Sequence, residues 1–183
     1  MSEKPKLLLV ADTFHPKVDG TLKLMEEFVK RSHKSFEISL LVPELNSVKV
    51  ENATYVKTSQ RFLLSGYPLM KFSYSNIKII RETIKKADIV FVQGPALISY
   101  VSMYYGRKYN KLTIFYTHTI TWELFEKFAP PFLNKLLNKL IKLFSILFYN
   151  QCNLILVPYY GLLQSLKHSG VKSTIKVAKL GVD

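Results

Sequence analysis

Short apolar runs of strand length alternate with amphipathic segments of helical length along the whole sequence. Buried parallel strands are continuous apolar runs, whereas surface helices repeat their apolar residues every three or four positions. The alternation predicts an α/β fold with a doubly wound, mostly parallel sheet and helices on both faces. The predicted strands are Lys6–Ala11, Phe36–Val42, Ala53–Lys57, Asp88–Val92, Leu112–Tyr116, Leu154–Val157 and Ile175–Ala178, and the predicted helices are Thr21–Lys34, Ser75–Lys86, Ala96–Lys108, Pro131–Asn150 and Tyr159–His168.

The chain is long enough to bury one apolar core, because 48% of its 183 residues are hydrophobic and 13% are aromatic. Its 26 lysines and arginines outnumber its 13 aspartates and glutamates, which leaves a formal net charge of +13. Such an excess favours an anionic partner, namely a phosphate-bearing substrate, an acidic lipid surface or a nucleic acid. The alternative is that the lysines have no specific partner and only keep an apolar protein in solution.

Cysteine usage and the apolar segments predict where the protein resides. Cys152 is the only cysteine, which excludes an internal disulfide, and its place beside the apolar run Leu154–Val157 predicts a buried structural thiol. The N-terminus has neither the apolar stretch nor the cleavage site of a signal peptide. Lysines interrupt the longest apolar region, from Phe132 to Pro158, so no membrane span is predicted. We therefore expect a cytoplasmic protein without a bound metal.

Polar residues follow two predicted strands at the end where a doubly wound sheet binds its ligands. In the segment after the first strand, Gly20 begins a helix and would let a phosphate approach free N–H groups. In the alternative interpretation, Asp19 caps that helix and Gly20 only eases a turn. His118 follows the strand Leu112–Tyr116 and is suited to hydrogen-bond a sugar hydroxyl in the same crevice.

The segment Arg61–Phe72 is unusually rich in large apolar side chains for a predicted loop. Because loops are generally solvated, its Phe62 and Tyr67 indicate contact with a lipid or another apolar acceptor. A loop that folds back onto the core is the alternative.

The predicted helix Pro131–Asn150 carries a basic stripe beside a broad apolar face. Lys135, Lys139 and Lys142 form the stripe. This pattern fits a helix that lies on an anionic membrane surface. It fits equally well a core helix with a lysine-rich solvent side.

Taken in order, several motifs resemble the N-terminal domain of family-4 retaining glycosyltransferases, whose two Rossmann-like domains face each other in the GT-B architecture. The motifs are Asp12–Gly20 (DTFHPKVDG), Gly66–Pro68 (GYP), Asp88–Pro95 (DIVFVQGP), Thr117–Thr119 (THT) with Glu123, and Leu180–Asp183 (LGVD). The Gly-Tyr-Pro segment is similar to one in members that glycosylate diacylglycerol-type lipids. The resemblance implies that 1–183 is the acceptor-side half of such an enzyme and that the C-terminal donor-binding domain is absent from this chain.

The resemblance also implies an activity and a set of roles. A hexose would move from a UDP- or GDP-linked donor to an acceptor, with retention at the anomeric carbon and without a cofactor. Gly20 and Asp19 would contact the donor, and His118 would lie at the transferred sugar as the catalytic residue. From their positions in the chain, and not from the resemblance, we expect the acceptor side to be formed by Phe62, Tyr67, Trp122 and Glu123.

Some positions depart from the family pattern. Asp19 stands where glycine or asparagine is usual, and Leu180 replaces an asparagine. Phe91 and Gln93 replace two histidines, so no role is carried over to them. The basic residues and paired glutamates that hold the donor belong to the family's C-terminal domain, and we therefore expect the chain alone to be inactive.

Two other classes of protein are consistent with an α/β sheet. A non-enzymatic basic module would bind nucleic acid or another polyanion, but the basic residues are dispersed and match no nucleic-acid-binding signature, so we expect no nucleic-acid partner. A stand-alone enzyme on a flavodoxin-like sheet would need a nucleophile with a base, or a cofactor loop, and the sequence offers neither. The expected partners are a nucleotide sugar, a lipid or sugar acceptor, the donor-binding domain, and an anionic surface on the inner face of the cell membrane.

Overall fold

The computed structural model describes residues 4–15, 20–45, 49–64, 67–94, 96–126 and 134–179. Strands and helices alternate through these ranges. The strands are β1 (Lys6–Ala11), β2 (Glu37–Glu44), β3 (Ala53–Leu64), β4 (Tyr67–Met70), β5 (Ile89–Gln93), β6 (Leu112–Tyr116), β7 (Leu154–Val157) and β8 (Thr174–Val177), and the helices are α1 (Gly20–Ser32), α2 (Tyr74–Lys86), α3 (Leu97–Lys108), α4 (Thr121–Glu126), α5 (Asn134–Tyr149) and α6 (Tyr160–His168).

The eight strands form one sheet in the order β4-β3-β2-β1-β5-β6-β7-β8. The chain first winds outward from β1 through β2 and β3, and it later returns to place β5 on the other edge of β1. Right-handed crossovers on the two sides of such a reversal place helices on opposite faces of the sheet. The prediction of an α/β, doubly wound, Rossmann-like fold is thereby confirmed.

The chain divides into two compact units, Met1–Thr113 and Ile114–Asp183. In the first unit, β1 is buried from Leu7 to Ala11, as a central strand covered on both faces must be. In the second unit, the core includes Ile155 of β7 and Leu166 of α6. Each such side chain contributes about 1.5–3 kcal/mol by leaving water. Within the described ranges, none of the helices has the length and hydropathy that crossing a bilayer requires.

The described part of the segment Arg61–Phe72 consists mainly of strand and not of the loop that the sequence predicts. β3 continues to Leu64 and pairs antiparallel with β4, so the prediction of a short third strand was wrong. β4 is an edge strand, and an antiparallel edge pair needs only one covered face. Polar residues within β3 therefore do not end it, and Pro68 is tolerated at an edge that needs no N–H donor.

Two smaller differences have local causes. β2 extends through Pro43 to Glu44, two residues beyond the end of the predicted strand Phe36–Val42. The register of β2 with β1 ends at Leu41, so Pro43 interrupts no ladder bond to β1. Helix α4 was not predicted, because its six residues are too few to show a helical period.

Candidate functional site

The reversal of strand order between β1 and β5 lies within the first unit, and ligands bind at such reversals in open α/β sheets. Ala11 and Gln93 pair at the carboxyl ends of these two strands. The carboxylate of the next residue, Asp12, caps the N-terminus of α3, whose own N-cap residue Ala96 makes no side-chain cap hydrogen bond. The Asp12 carboxylate accepts hydrogen bonds from the backbone N–H of Ala96 at 2.9 Å and of Ile98 at 3.0 Å, and from the Ser99 hydroxyl.

This cap was missed by sequence reasoning. Burial raises the pKa of the Asp12 carboxyl, and the hydrogen bonds from Ser99 and from the backbone N–H groups of Ala96, Ser99 and Ile98 partly oppose that rise. The carboxylate occupies the positive end of the α3 dipole, which is thereby closed to another anion. The residues that meet are 84 to 87 positions apart, so no local pattern signals the contact.

Gly94 makes room for the Asp12 carboxylate. Its φ is +106°, which is the left-handed region, and a Cβ at this position would lie 2.9 Å from Asp12 Oδ2. Both observations require glycine. Gly94 is therefore required both by its backbone conformation and by its contact with Asp12.

The predicted donor loop is described only in part. Asp19 lies outside the described residues. Gly20 begins α1 without a left-handed φ, and a Cβ built on it would meet no heavy atom within 4 Å. The protein's own packing therefore does not require glycine at position 20, and a contact with a donor phosphate stays a prediction. Nearby, the His15 Nε2 atom lies 3.1 Å from Glu26 Oε1, so that imidazole already has a partner.

In the second unit, a short turn after β6 leaves His118 exposed. The Thr117 N–H donates to the Leu156 carbonyl at 3.0 Å, which extends the pairing of β6 with β7. The Thr117 hydroxyl then donates to the Thr119 carbonyl at 2.7 Å. These bonds hold the backbone on either side of His118 at the carboxyl end of the strand.

A cavity of ≈ 290 Å³ lies beside this turn. Its volume is close to the lower end of the range for small-molecule sites, about 300 Å³. The lining combines imidazole, carboxylate and hydroxyl groups with a smaller apolar part, which suits a hydroxyl-rich ligand. The lining residues are His118, Thr119, Ile120, Glu123, Tyr159, Gly161, Leu162 and Ser165.

The first turn of α6 forms one wall of the cavity. The helix follows the extended residue Tyr159, and among the described residues no side chain caps it. Gly161 and Leu162 lie in the first turn, where backbone N–H groups have no acceptor within the helix. The N-terminal end of α6 therefore lies beside the cavity, where its dipole favours phosphate or hydroxyl oxygens.

Helix α4 holds Glu123 at the cavity through contacts with α5. The hydroxyls of Thr121 and Tyr149 form a short, buried hydrogen bond. Trp122 is only 8% exposed, and its ring centroid lies 6.4 Å from that of Tyr149. The Lys142 Nζ atom lies 5.5 Å from the centroid of the same indole. Trp122 is thus a packing residue of this unit, and its contact with an acceptor stays a prediction.

The structure brings two of the predicted site residues, His118 and Glu123, to one cavity. The backbones of Phe62 and Tyr67 lie on β3 and β4, but their side chains lie outside the described residues, as does that of Lys135. The roles of these three residues stay predictions.

The burial of Cys152 is confirmed. Its side chain is 5% exposed, and burial raises the pKa of the thiol to about 12. A thiol so rarely ionised is a poor nucleophile. Among the residues that the structure describes, no group of three or more His, Cys, Asp or Glu side chains is arranged to hold a metal ion.

The family model described as Glycosyltransferase Family 4 matches residues 19–183. No curated protein sequence matches this chain significantly. Among solved structures, a candidate UDP-N-acetylglucosamine 2-epimerase from Listeria monocytogenes superposes with a TM-score of 0.55 at 13% identity, over 94% of this chain and 44% of that one. UDP-GlcNAc 2-epimerase from Methanocaldococcus jannaschii gives a TM-score of 0.54 at 12% identity, over 94% and 45%.

Sucrose-phosphate synthase from Thermosynechococcus elongatus gives a TM-score of 0.53 at 7% identity, over 98% of this chain and 91% of that one. At these identities the structural similarity shows the fold alone. The chain spans less than half the length of the two epimerase chains.

Proposed function

The chain belongs to glycosyltransferase family 4, and from that premise we propose that it is the acceptor-side domain of a retaining hexosyltransferase. The donor is a UDP- or GDP-linked hexose. The observation that carries the proposal is the cavity at the carboxyl ends of β6 and β7, where His118, Glu123 and the first turn of α6 meet. Such strand ends are where doubly wound sheets bind ligands.

The lining of the cavity supports group transfer better than hydrolysis. Glycoside hydrolases of the usual type use two carboxyl groups on either side of the scissile bond. Among the described residues that line it, Glu123 supplies the one carboxylate. In our proposal the imidazole of His118 hydrogen-bonds the transferred sugar, Glu123 binds an acceptor hydroxyl, and the N–H groups of α6 offset negative charge on oxygen. No metal is needed for these roles.

The donor side of the proposal depends on a second domain. Gly20, with Asp19, meets the diphosphate, and a C-terminal domain supplies the basic residues that hold the rest of the nucleotide. The open space around the Gly20 Cα atom is compatible with a close approach of phosphate. The chain by itself is then inactive.

For the acceptor we propose a membrane lipid, with the domain held peripherally at the inner face of the cell membrane. The net charge of +13 supports an anionic surface as partner. The acceptor side includes Phe62, Tyr67 and Trp122.

Replacing one histidine tests the proposal. In the full-length enzyme, we expect His118→Ala to lower kcat about a hundredfold, because a preorganised hydrogen bond to the reacting sugar is lost. The measurement is transfer of a radiolabelled hexose at saturating donor. The matched control is His168→Ala, which removes an exposed imidazole whose Nδ1 lies 2.8 Å from the Gln164 carbonyl of its own helix. Unchanged turnover of the His118 variant would remove that residue from the mechanism.

A further inference from the structure

Helix α5 has an apolar stripe on its exposed side. Five leucine and phenylalanine side chains form the stripe, and their exposed fractions range from 44% to 67%. At 3.6 residues per turn, these positions fall within about 100° of arc and span about 16 Å along the axis. We define this as the leucine stripe, and it consists of Leu136, Leu140, Leu143, Phe144 and Leu147.

The opposite side of α5 is the side that packs against its own unit. Ser145 and Tyr149 are 1% and 0% exposed, and α4 packs against the helix there. A surface helix normally buries its apolar face and exposes a polar one. Of the two alternatives left open by the sequence, a core helix with a lysine-rich solvent side fits the described part of α5 less well, because leucine and phenylalanine occupy the side farthest from the core.

The charges beside the stripe favour an anionic partner. The sequence of α5 contains three lysines and no acidic residue. On a helical projection the lysines lie along one flank of the leucine stripe. Lys139 is exposed, and Lys142 is half-buried over the Trp122 ring. An apolar stripe flanked by lysines, on a helix without acidic residues, is the pattern of helices that lie in the interface of an anionic bilayer.

We infer that the leucine stripe of α5 inserts into an anionic lipid bilayer, while Lys139 and Lys142 contact its headgroups. A second copy of the chain would fit this surface less well. Each copy has a net charge of +13 and an α5 without acidic residues, so the two surfaces would repel each other. The bilayer supplies both an apolar interior and the opposite charge. The inference deepens the proposed function and rests on it only for the identity of the acceptor as a lipid. Helix α4 packs on α5 through Trp122 and carries Glu123 at the cavity.

Vesicle binding tests the inference without any need for activity. The full chain is sedimented with vesicles of phosphatidylglycerol and phosphatidylcholine in equal parts, and with vesicles of phosphatidylcholine alone. The test variant is Leu140→Gln/Leu147→Gln, which keeps charge and helix propensity. The control variant is Leu112→Gln/Val177→Gln, which removes two apolar side chains of similar exposure from other elements, 46% and 39%.

We expect wild type and control to bind the anionic vesicles equally and the test variant to bind at least about tenfold more weakly. The separate variant Lys139→Gln should bind anionic vesicles about fivefold more weakly. Circular dichroism establishes that each variant is folded. Equal binding of test variant and wild type would overturn the inference, as would failure of wild type to bind. If wild type does not bind vesicles but forms a dimer, and the Leu140→Gln/Leu147→Gln variant is a monomer, the leucine stripe is instead an interface with a second copy of the chain.

The inference and the proposed function fail separately. In the full-length enzyme, transfer to a detergent-dispersed acceptor should fall about a hundredfold in His118→Ala but be retained in Leu140→Gln/Leu147→Gln. If His118→Ala retains activity, the role of the cavity falls and the vesicle result stands. If wild type does not bind the vesicles, the inference about the leucine stripe falls and the proposed role of the cavity stands.

Discussion

The turn that follows β5 has no room for a Cβ atom at Gly94. Gly94 is left-handed and lies against the carboxylate of Asp12. Gly170 is also left-handed, with φ +100°, but a Cβ added to it would meet no heavy atom within 4 Å. The two glycines therefore separate the cost of the backbone conformation from the cost of the contact.

We expect Gly94→Ala to lower the free energy of unfolding by about 3 kcal/mol and Gly170→Ala by about 1 kcal/mol. Both variants place a Cβ in a left-handed conformation, but only the first displaces the buried cap of α3. The measurement is urea unfolding monitored by circular dichroism. Equal losses in the two variants would show that the close approach to Asp12 costs nothing.

At the scale of elements, the pairing of α4 with α5 holds Glu123 at the cavity. The Tyr149 ring packs on Phe115 with centroids 4.9 Å apart, and its hydroxyl bonds that of Thr121 in the interior. A buried hydroxyl that loses its partner pays the desolvation cost without the bond.

We therefore expect Tyr149→Phe to lower the free energy of unfolding by about 1–2 kcal/mol. The double variant Tyr149→Phe/Thr121→Val should lose less than the sum of the two single variants, because it leaves no orphaned hydroxyl from this pair. Tyr104→Phe, at a tyrosine that is 47% exposed, is the control and should be neutral. Strictly additive losses would mean that the two hydroxyls do not interact.

At the scale of the whole molecule, the net charge of +13 is compatible with either a lipid surface or a nucleic acid. The two partners differ in how binding responds to salt. Contacts with phosphate alone weaken steeply as counterions compete, whereas insertion of apolar side chains is hardly screened.

We expect single-stranded RNA to bind weakly and to dissociate by about 0.2 M salt. Binding to anionic vesicles should persist at that salt concentration because the leucine stripe contributes to it. RNA binding is measured by fluorescence anisotropy with labelled RNA, and vesicle binding is measured by sedimentation. RNA binding that outlasts vesicle binding as salt is raised would favour the polyanion-binding alternative.

The sequence alone determined the fold class and the order of most elements. Apolar runs, helical periods and breaker residues are local, and each is set by the burial that its own element needs. Most predicted strands and helices agree with the structure to within two residues for the same reason. The position of His118 was also accessible, because a residue that follows a buried parallel strand must lie at the carboxyl edge of the sheet.

The tertiary structure alone decided which faces and which distant residues meet. Apolar residues nearly surround α5, so its sequence does not say which side packs on α4 and which side stays exposed as the leucine stripe. The cap of α3 joins Asp12 to Ser99 across 87 positions, and the hairpin of β3 with β4 depends on an edge that only the assembled sheet provides. Local patterns record how much each segment must bury; the partner against which it is buried is a property of the packed chain.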